Sequence, residues 1–157
     1  MIGRRAFFVL PTALALLLAG CAASGPTGPV GLTLTVHADA NQNPDPMGHA
    51  APVAVRLYQL SDTARFDQAD LFALVTHEQE TLGSDLHGSE EFVVAPGTSR
   101  TITRTLASGT RFVGIAVLFR DVDHAEWRAT ARVASDGATD LTLTISGLQA
   151  TLSSGSG

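Results

Sequence analysis

The sequence predicts an all-β fold, either a sandwich or a barrel, with one added helix. Apolar and polar residues alternate with a period of two in several segments, as half-buried strands require. Turn residues recur every eight to fourteen positions in the second half of the chain. One short segment has helical spacing instead. We therefore expect about seven strands and one amphipathic helix.

Residues 1–20 are predicted to be a signal peptide. Arg4 and Arg5 form a positive region, residues 7–18 are apolar, and Leu18-Ala19-Gly20 precedes Cys21, the single cysteine of the chain. This pattern is a lipobox, and it indicates that Cys21 becomes the lipidated N-terminus. The alternative is that Cys21 lies in an uncleaved anchor or in an ordinary signal sequence. Export by the Sec route is expected, because the twin-arginine pattern is incomplete.

The predicted modification of Cys21 is a diacylglycerol thioether together with an N-acyl chain. Each buried CH₂ group contributes about 0.8 kcal/mol, so several acyl chains hold a protein on a membrane durably. An aspartate after the cysteine commonly retains bacterial lipoproteins in the inner membrane, and here that residue is Ala22. We therefore expect a lipid anchor in the outer membrane, on its periplasmic face.

Charge and cysteine content exclude some classes of function. The whole chain carries a net charge of −5, and the mature chain carries −7, because Arg4 and Arg5 leave while all 15 acidic residues stay. There is no lysine, and the remaining arginines are scattered, so nucleic acid is not an expected partner. With Cys21 lipidated, no disulfide is possible, and the fold depends on its hydrophobic core.

The first half of the mature chain contains a tether, two strands and the helix. Residues 21–30 are small and rich in Gly and Pro, which indicates a flexible tether. A strand begins at Leu32 and is followed by a long loop over residues 39–51. The second strand covers residues 52–60, and the apolar stripe of residues 66–74 predicts one helix. No structure is assigned to residues 75–89.

The second half contains five further predicted strands, at residues 91–95, 99–106, 111–120, 126–134 and 140–148. The fifth strand of the chain is apolar on both sides and is therefore placed in the centre of a sheet. Trp127 is interpreted as a core residue rather than a binding hot spot, and Phe66 and Phe72 are interpreted as structural. The folded domain is expected to cover residues 31–150, followed by a flexible tail over residues 151–157.

The sequence lacks a catalytic signature. It contains no Gly-x-Ser-x-Gly elbow, no His-Glu-x-x-His pair and no phosphate-binding glycine loop, so we do not expect an enzyme. Two groups of residues are weak metal candidates, and the acidic one of them lacks the glycine and the distal glutamate of a full calcium loop. They are the pair His37 and Asp39, and the turn that contains Asp121, Asp123, His124 and Glu126. We predict solvated turns there and no cofactor.

The order of these elements resembles one known family. The motifs of this chain follow each other as in the TssJ lipoproteins of type VI secretion, also called VasD or SciN. They are the lipobox, the first strand with its Asn-Pro loop, Pro52-Val53-Ala54-Val55-Arg56-Leu57-Tyr58-Gln59-Leu60, Phe66 with Ala69-Asp70-Leu71-Phe72, Pro96-Gly97, Gly114-Ile115-Ala116, Phe119-Arg120-Asp121 and Trp127-Arg128. The resemblance runs from Cys21 to about Leu148. It implies a transthyretin-like sandwich of two sheets, with the added helix between the second and third strands and no enzymatic activity.

The resemblance also implies a partner. In the family, the lipoprotein binds the periplasmic C-terminal region of the inner-membrane component TssM, which partners TssL. The loop between the first two strands makes this contact, and here it corresponds to residues 39–51. The residues expected to contact TssM are Gln42, Asn43, Pro44, Asp45, Pro46, Met47 and His49.

Two other classes of function compete with this interpretation. One is a lipoprotein of sandwich fold that acts as a scaffold or pilot in another envelope assembly. The other is a periplasmic domain that binds a carbohydrate or a metal, or hydrolyses a substrate with the acidic turn at residues 121–126. The neighbouring genes would discriminate the first from a type VI component, and metal retained after dialysis would favour the second.

Overall fold

The structure is a computed structural model, and it describes residues 30–155. The predicted signal peptide, Cys21 and most of the tether lie outside these residues. The described part contains eight strands: β1 (Val30–Ala38), β2 (Val53–Leu60), β3 (Leu86–Val94), β4 (Ser99–Leu106), β5 (Phe112–Val117), β6 (Arg128–Arg132), β7 (Thr139–Ser146) and β8 (Gln149–Ser154). Three short helices lie between β2 and β3: α1 (Ala64–Gln68), α2 (Leu71–Thr76) and α3 (Glu78–Leu82).

The strands form two sheets of four, in the orders β4-β1-β7-β8 and β3-β2-β5-β6. All neighbours are antiparallel except β1 and β7, which are parallel and pair from Leu32 with Thr139 to Ala38 with Ile145. This arrangement confirms the expected two-sheet β-sandwich. The strand that is apolar on both sides, β5, lies between β2 and β6 as predicted.

The main core lies between the two sheets. Alternate residues of β1 and β7 and of β2 and β5 point inward, and their side chains are almost completely buried. Full burial of a Leu, Ile or Val side chain contributes about 1.5–3 kcal/mol, so this layer supplies most of the stabilisation in a chain without a disulfide. The strongly alternating strands were recognisable in the sequence because only one of their faces is buried.

A second core lies between the helices and the outer face of the sheet that contains β2. Phe66, Leu74 and Leu82 from the helices cover Tyr58 and Ala116 of the strands. The Tyr58 hydroxyl donates a hydrogen bond to the Leu74 carbonyl oxygen at 3.0 Å, and its ring lies 5.4 Å from that of Phe66. The helices therefore serve to cover an apolar sheet face, as expected for the added helical element.

The single predicted helix is wrong in detail, because the segment is three short helices. Asp70 has an extended backbone and its side chain accepts the N–H of Ala73 at 2.8 Å, so it caps a new helix inside the apolar stripe. Phe66 is buried as expected, but Phe72 is 70% exposed and is not a core residue. Trp127 is half-buried and packs against both cores, with the Arg128 guanidinium 4.2 Å above its ring.

The predicted flexible tail is also wrong for residues 151–154, because β8 covers Gln149–Ser154 and pairs with β7 along its whole length. Its sequence has only Ala150 and Leu152 as apolar residues, so the alternation is too weak to identify a strand. A tight turn at Gly147, which has a φ of +55°, allows the hairpin. β3 likewise begins five residues earlier than expected, at Leu86.

The sandwich has two different ends. Four connections meet at one end, which we term the loop end: residues 39–52, 95–98, 118–127 and 147–148. Val30, the first residue of β1, lies at the other end. The nine residues of β1 make eight steps of about 3.3 Å, which separate the two ends by about 26 Å.

Candidate functional site

The candidate site is the β1–β2 loop, residues 39–52, whose base is fixed by two buried amide side chains. Gln42 is completely buried, and its Nε2 donates to the carbonyl oxygens of Val94 at 2.8 Å and Ala51 at 3.3 Å. Its backbone N–H donates to Asp39 O, and its carbonyl accepts from Ala51 N–H. These bonds close the loop at its base and tie it to the end of β3.

Asn43 closes the β1–β2 loop on itself and connects it to two other segments. It has a φ of +47°, a conformation that asparagine tolerates better than most residues. Its backbone N–H donates to Gly147 O at 2.8 Å, its Nδ2 donates to Pro52 O at 3.0 Å, and its Oδ1 accepts the backbone N–H of Arg120 at 2.9 Å. The loop therefore has a fixed orientation on the sandwich.

The tip of the loop, residues 44–49, is a small turn built around Asp45. One carboxylate oxygen accepts the backbone N–H groups of Met47 and His49, each at 2.8 Å, and the other lies 3.1 Å from Nδ1 of His49. Gly48 permits the turn with a φ of +84°. The Met47 side chain is 80% exposed on this ordered turn.

The hydrogen bonds to Asp45 also affect its ionisation. The N–H of His49 contributes most to lowering the pKa of the Asp45 carboxyl below 3.8, and partial desolvation opposes this effect. The carboxylate is therefore charged throughout the neutral and mildly acidic range. Because the negative form accepts the bonds that define the turn, the charge and the geometry of the tip depend on each other.

An open groove of about 410 Å³ separates the tip from the β5–β6 loop, residues 118–127. The groove is lined by residues of three connections: Pro44, Asp45, Pro46, Arg120, Asp121 and Leu148. On the β5–β6 side, Asp121 Oδ1 lies 2.8 Å from Nδ1 of His124. This hydrogen bond, followed by the negative charge of Asp121, raises the pKa of His124 above its usual 6.5.

The structure divides the residues expected to contact a partner into two groups. Gln42 and Asn43 are at most 2% exposed, so they hold the loop and have no surface to offer a partner. Pro44, Asp45, Pro46, Met47 and His49 lie at the tip and are partly or fully exposed. The division has a physical cause, because the buried amides satisfy backbone groups that the irregular loop leaves without partners.

The weak metal candidates do not converge. Within residues 30–155, no group of three or more His, Cys, Asp or Glu side chains is arranged to hold a metal ion. His37 bonds with Ser99 Oγ at 2.9 Å, and Glu126 accepts from Gln149 Nε2 at 2.6 Å. These side chains serve as links between neighbouring strands and loops.

Sequence reasoning missed the second wall of the groove. Arg120 and Leu148 lie 28 residues apart in the chain and meet the tip only because β5 and β7 end at the same side of the sandwich. No local pattern marks Leu148, and Arg120 was noted only within Phe119-Arg120-Asp121 as part of the family resemblance, without a role at a site. The one available signal was topological, since the ends of strands on both sheets collect loops at one edge.

Comparison with known proteins gives a consistent result. Residues 31–148 match the family described as type VI secretion lipoprotein, VasD, EvfM, TssJ. A comparison with curated proteins finds no match. The chain is similar to the T6SS lipoprotein TssJ1 from Pseudomonas aeruginosa, with 36% identity and a TM-score of 0.79 over 83% of this chain and 99% of that one.

Two further solved structures contain similar chains. A chain of a type VI membrane complex has 29% identity and a TM-score of 0.69, over 79% of this chain and 98% of that one. A chain in a structure described as the T6SS protein TssM C-terminal domain (869-1107) from EAEC has 28% identity and a TM-score of 0.67, over 78% and 97%. None of the helices in residues 30–155 has the length and apolarity needed to cross a bilayer.

Proposed function

This chain belongs to the family of type VI secretion lipoproteins that includes TssJ, VasD and EvfM, and we propose that it links the inner-membrane component TssM to the outer membrane. The family consists of structural subunits of the secretion system and not of enzymes. Its members are lipoproteins, so the chain is a lipid-modified protein held at a membrane of the cell envelope.

The proposed anchor is the acyl-modified Cys21, inserted in the outer membrane from its periplasmic side. Val30 lies nine positions after Cys21, and an extended chain of that length spans about 30 Å. Since β1 adds about 26 Å, the loop end can reach about 55 Å from the anchored cysteine. A domain attached at Val30 can therefore present the loop end toward the periplasm.

The proposed partner is the periplasmic C-terminal region of TssM, in a membrane complex that also holds TssL. Similar chains occur in a structure described as a type VI membrane complex and in one described as a TssM C-terminal domain, which supports this choice. The proposed contact is the tip, residues 44–49. The main support for this contact is that the Met47 side chain is 80% exposed on a turn already held by hydrogen bonds to Asp45.

An ordered tip suits such a contact. Association loses free energy when a loop must be ordered on binding, and a loop that is already fixed avoids that loss. Met side chains adapt to irregular apolar surfaces, so Met47 can fill a pocket on the partner. Anchoring further raises the effective concentration of the domain at a partner that is itself held in the envelope.

The test is a titration of the full lipidated chain, purified in detergent, with full-length TssM from the same organism. We expect saturable binding with one site for each lipoprotein chain. A preparation of an unrelated outer-membrane lipoprotein in the same detergent is the control for nonspecific association. Absence of binding by the chain would contradict the proposed function.

A further inference from the structure

Arg120 differs from the other arginines of the described chain. Residues 30–155 contain eight arginines, and seven of their guanidinium groups contact a carboxylate, a carbonyl oxygen or an aromatic ring. Three of them form ion pairs with carboxylates, namely Arg56, Arg65 and Arg104. Arg128 donates to backbone carbonyls of α1, and Arg100, Arg111 and Arg132 lie over aromatic rings. The guanidinium of Arg120 has none of these contacts within this part of the chain.

Arg120 lacks an ion pair although two acidic residues line the same groove. The Asp45 carboxylate is occupied by the N–H groups of Met47 and His49 and by the His49 ring. The Asp121 carboxylate is hydrogen-bonded to His124 at 2.8 Å. Each acidic side chain therefore has a partner on its own loop, and the exposed Arg120 side chain is left available at the groove.

The backbone of Arg120, in contrast, is firmly held. Its N–H donates to the buried Oδ1 of Asn43 at 2.9 Å, so the residue is fixed relative to the tip. The apolar surfaces of Pro44, Pro46 and Leu148 lie around the same groove. A fixed backbone beside apolar walls reduces the entropy lost when a guanidinium forms two parallel hydrogen bonds.

We propose that this groove binds a segment of the partner that carries an aspartate or glutamate, and that Arg120 pairs with its carboxylate. An apolar neighbour in the segment would lie against the proline and leucine walls. The carboxylate is the group that matches the planar fork of a guanidinium, and such pairs are frequently bidentate. The inference rests on the proposed function and adds a second contact, on the β5–β6 loop, to that of the tip.

Charge complementarity is the reason to choose an acidic segment over a basic one. Both carboxylates of the groove already have hydrogen-bond partners in His49 and His124, whereas Arg120 is attracted by Asp45 without forming an ion pair within the described residues, so Arg120 is the charged group still open to a direct partner. An acidic segment satisfies Arg120, and like-charge contacts are a common source of discrimination against wrong partners.

The test compares Arg120→Lys, Arg120→Gln and Arg120→Glu in the full lipidated chain, titrated with full-length TssM in detergent. We expect Arg120→Gln to weaken binding by tenfold or more, Arg120→Lys by less, and Arg120→Glu by most. Arg132→Gln is the matched control, because Arg132 is an exposed arginine on β6 away from the loop end. It should bind like the unsubstituted chain.

The possible results separate the two proposals. No binding by the unsubstituted chain overturns the proposed function and this inference together. Normal binding by the unsubstituted chain and by Arg120→Gln overturns only the inference. If Arg120→Lys and Arg120→Gln weaken binding equally, the positive charge at position 120 does not contribute to binding. That result overturns a carboxylate as the ligand of Arg120. Urea unfolding of each variant establishes that the sandwich is intact.

Discussion

The Asn43 side chain accepts the backbone N–H of Arg120 at 2.9 Å, across 77 positions of the chain. This single hydrogen bond joins the β1–β2 loop to the β5–β6 loop, so the two walls of the groove do not move independently. The tip that carries Met47 and the arginine at the groove are held as one surface. The geometry of the proposed docking face therefore depends on Asn43, a residue that is only 2% exposed.

Replacing Asn43 with alanine is expected to reduce stability. The change removes the acceptor for Arg120 N–H and the donor to Pro52 O, and it places alanine at a φ of +47°. We expect a loss of about 2–4 kcal/mol in the free energy of unfolding, measured by urea denaturation. Asn43→Gly is the control that keeps the backbone conformation, and its loss should be smaller. Equal losses would show that the positive φ is unimportant.

Replacing Met47 with alanine is expected to weaken TssM binding by tenfold or more, about 1.4 kcal/mol, without loss of stability. The reason is that the Met47 side chain is 80% exposed at the tip, so its truncation removes little buried surface from the sandwich. Val93→Ala is the matched control, because Val93 is also exposed, at 62%, but lies on β3. A larger effect for Val93 than for Met47 in the titration would place the contact elsewhere.

The tip is expected to lose its order in acid. Hydrogen bonds to the charged form lower the folded-state pKa of Asp45, so its contribution to tip stability is complete above 3.8 and disappears as the pH falls through that lowered pKa. Amide exchange at Met47 and His49, followed by NMR, should accelerate in this range. In Asp45→Asn, which keeps a neutral acceptor, the same exchange should not follow this pH profile. Identical profiles for both proteins would refute the role of Asp45.

The sequence predicted those features that depend on local periodicity. The strands β1 and β2 were identified because every second residue, such as Leu34 and Val55, is apolar and buried. The β8 strand was missed because its partner β7 determines its conformation, and Ala150 and Leu152 alone give no clear alternation. The predicted single helix is divided because Asp70 has an extended backbone and caps the start of α2. The apolar stripe continues through this break and therefore does not reveal it.

For the candidate site, the sequence located the loop but not the roles of its residues. Gln42 is polar and lies among turn residues, which indicates an exposed position. It is buried because Val94, 52 residues later, supplies a carbonyl oxygen that needs a donor. Likewise, Arg120 is open to a partner because the Asp45 carboxylate beside it is bonded within its own loop, which only the structure shows. Such non-local hydrogen bonding has no signature in a single sequence.

Replacing Gly114 with alanine is expected to destabilise the packing of the helices on the sheet. A Cβ atom there would lie 3.0 Å from Leu60 Cδ1 and 3.1 Å from Phe66 Cζ, both fully buried. Overpacking of this kind costs about 1–3 kcal/mol, measurable by urea denaturation. Gly31→Ala is the control, since its Cβ would lie 3.9 Å from Ala138 Cβ. A neutral Gly114→Ala would mean that the second core is loosely packed.

Replacing Cys21 with serine is expected to abolish acylation and membrane attachment while leaving the sandwich folded. Serine has no thiol for the thioether, and the folded core begins only at β1. Incorporation of labelled palmitate and fractionation of the envelope measure these effects. Ala22→Asp tests the destination, because the outer-membrane fraction should decrease. Palmitate incorporated by Cys21→Ser would show that another residue carries the lipid.

The most direct measurement is photo-crosslinking in cells that assemble the secretion apparatus. A photoreactive amino acid is introduced at position 47 of the lipidated chain, and at position 93 as the matched exposed control. The proposed function predicts a crosslink to TssM from position 47 and none from position 93. A crosslink from position 93 alone, or no crosslink to TssM from position 47, would contradict docking through the tip at the loop end.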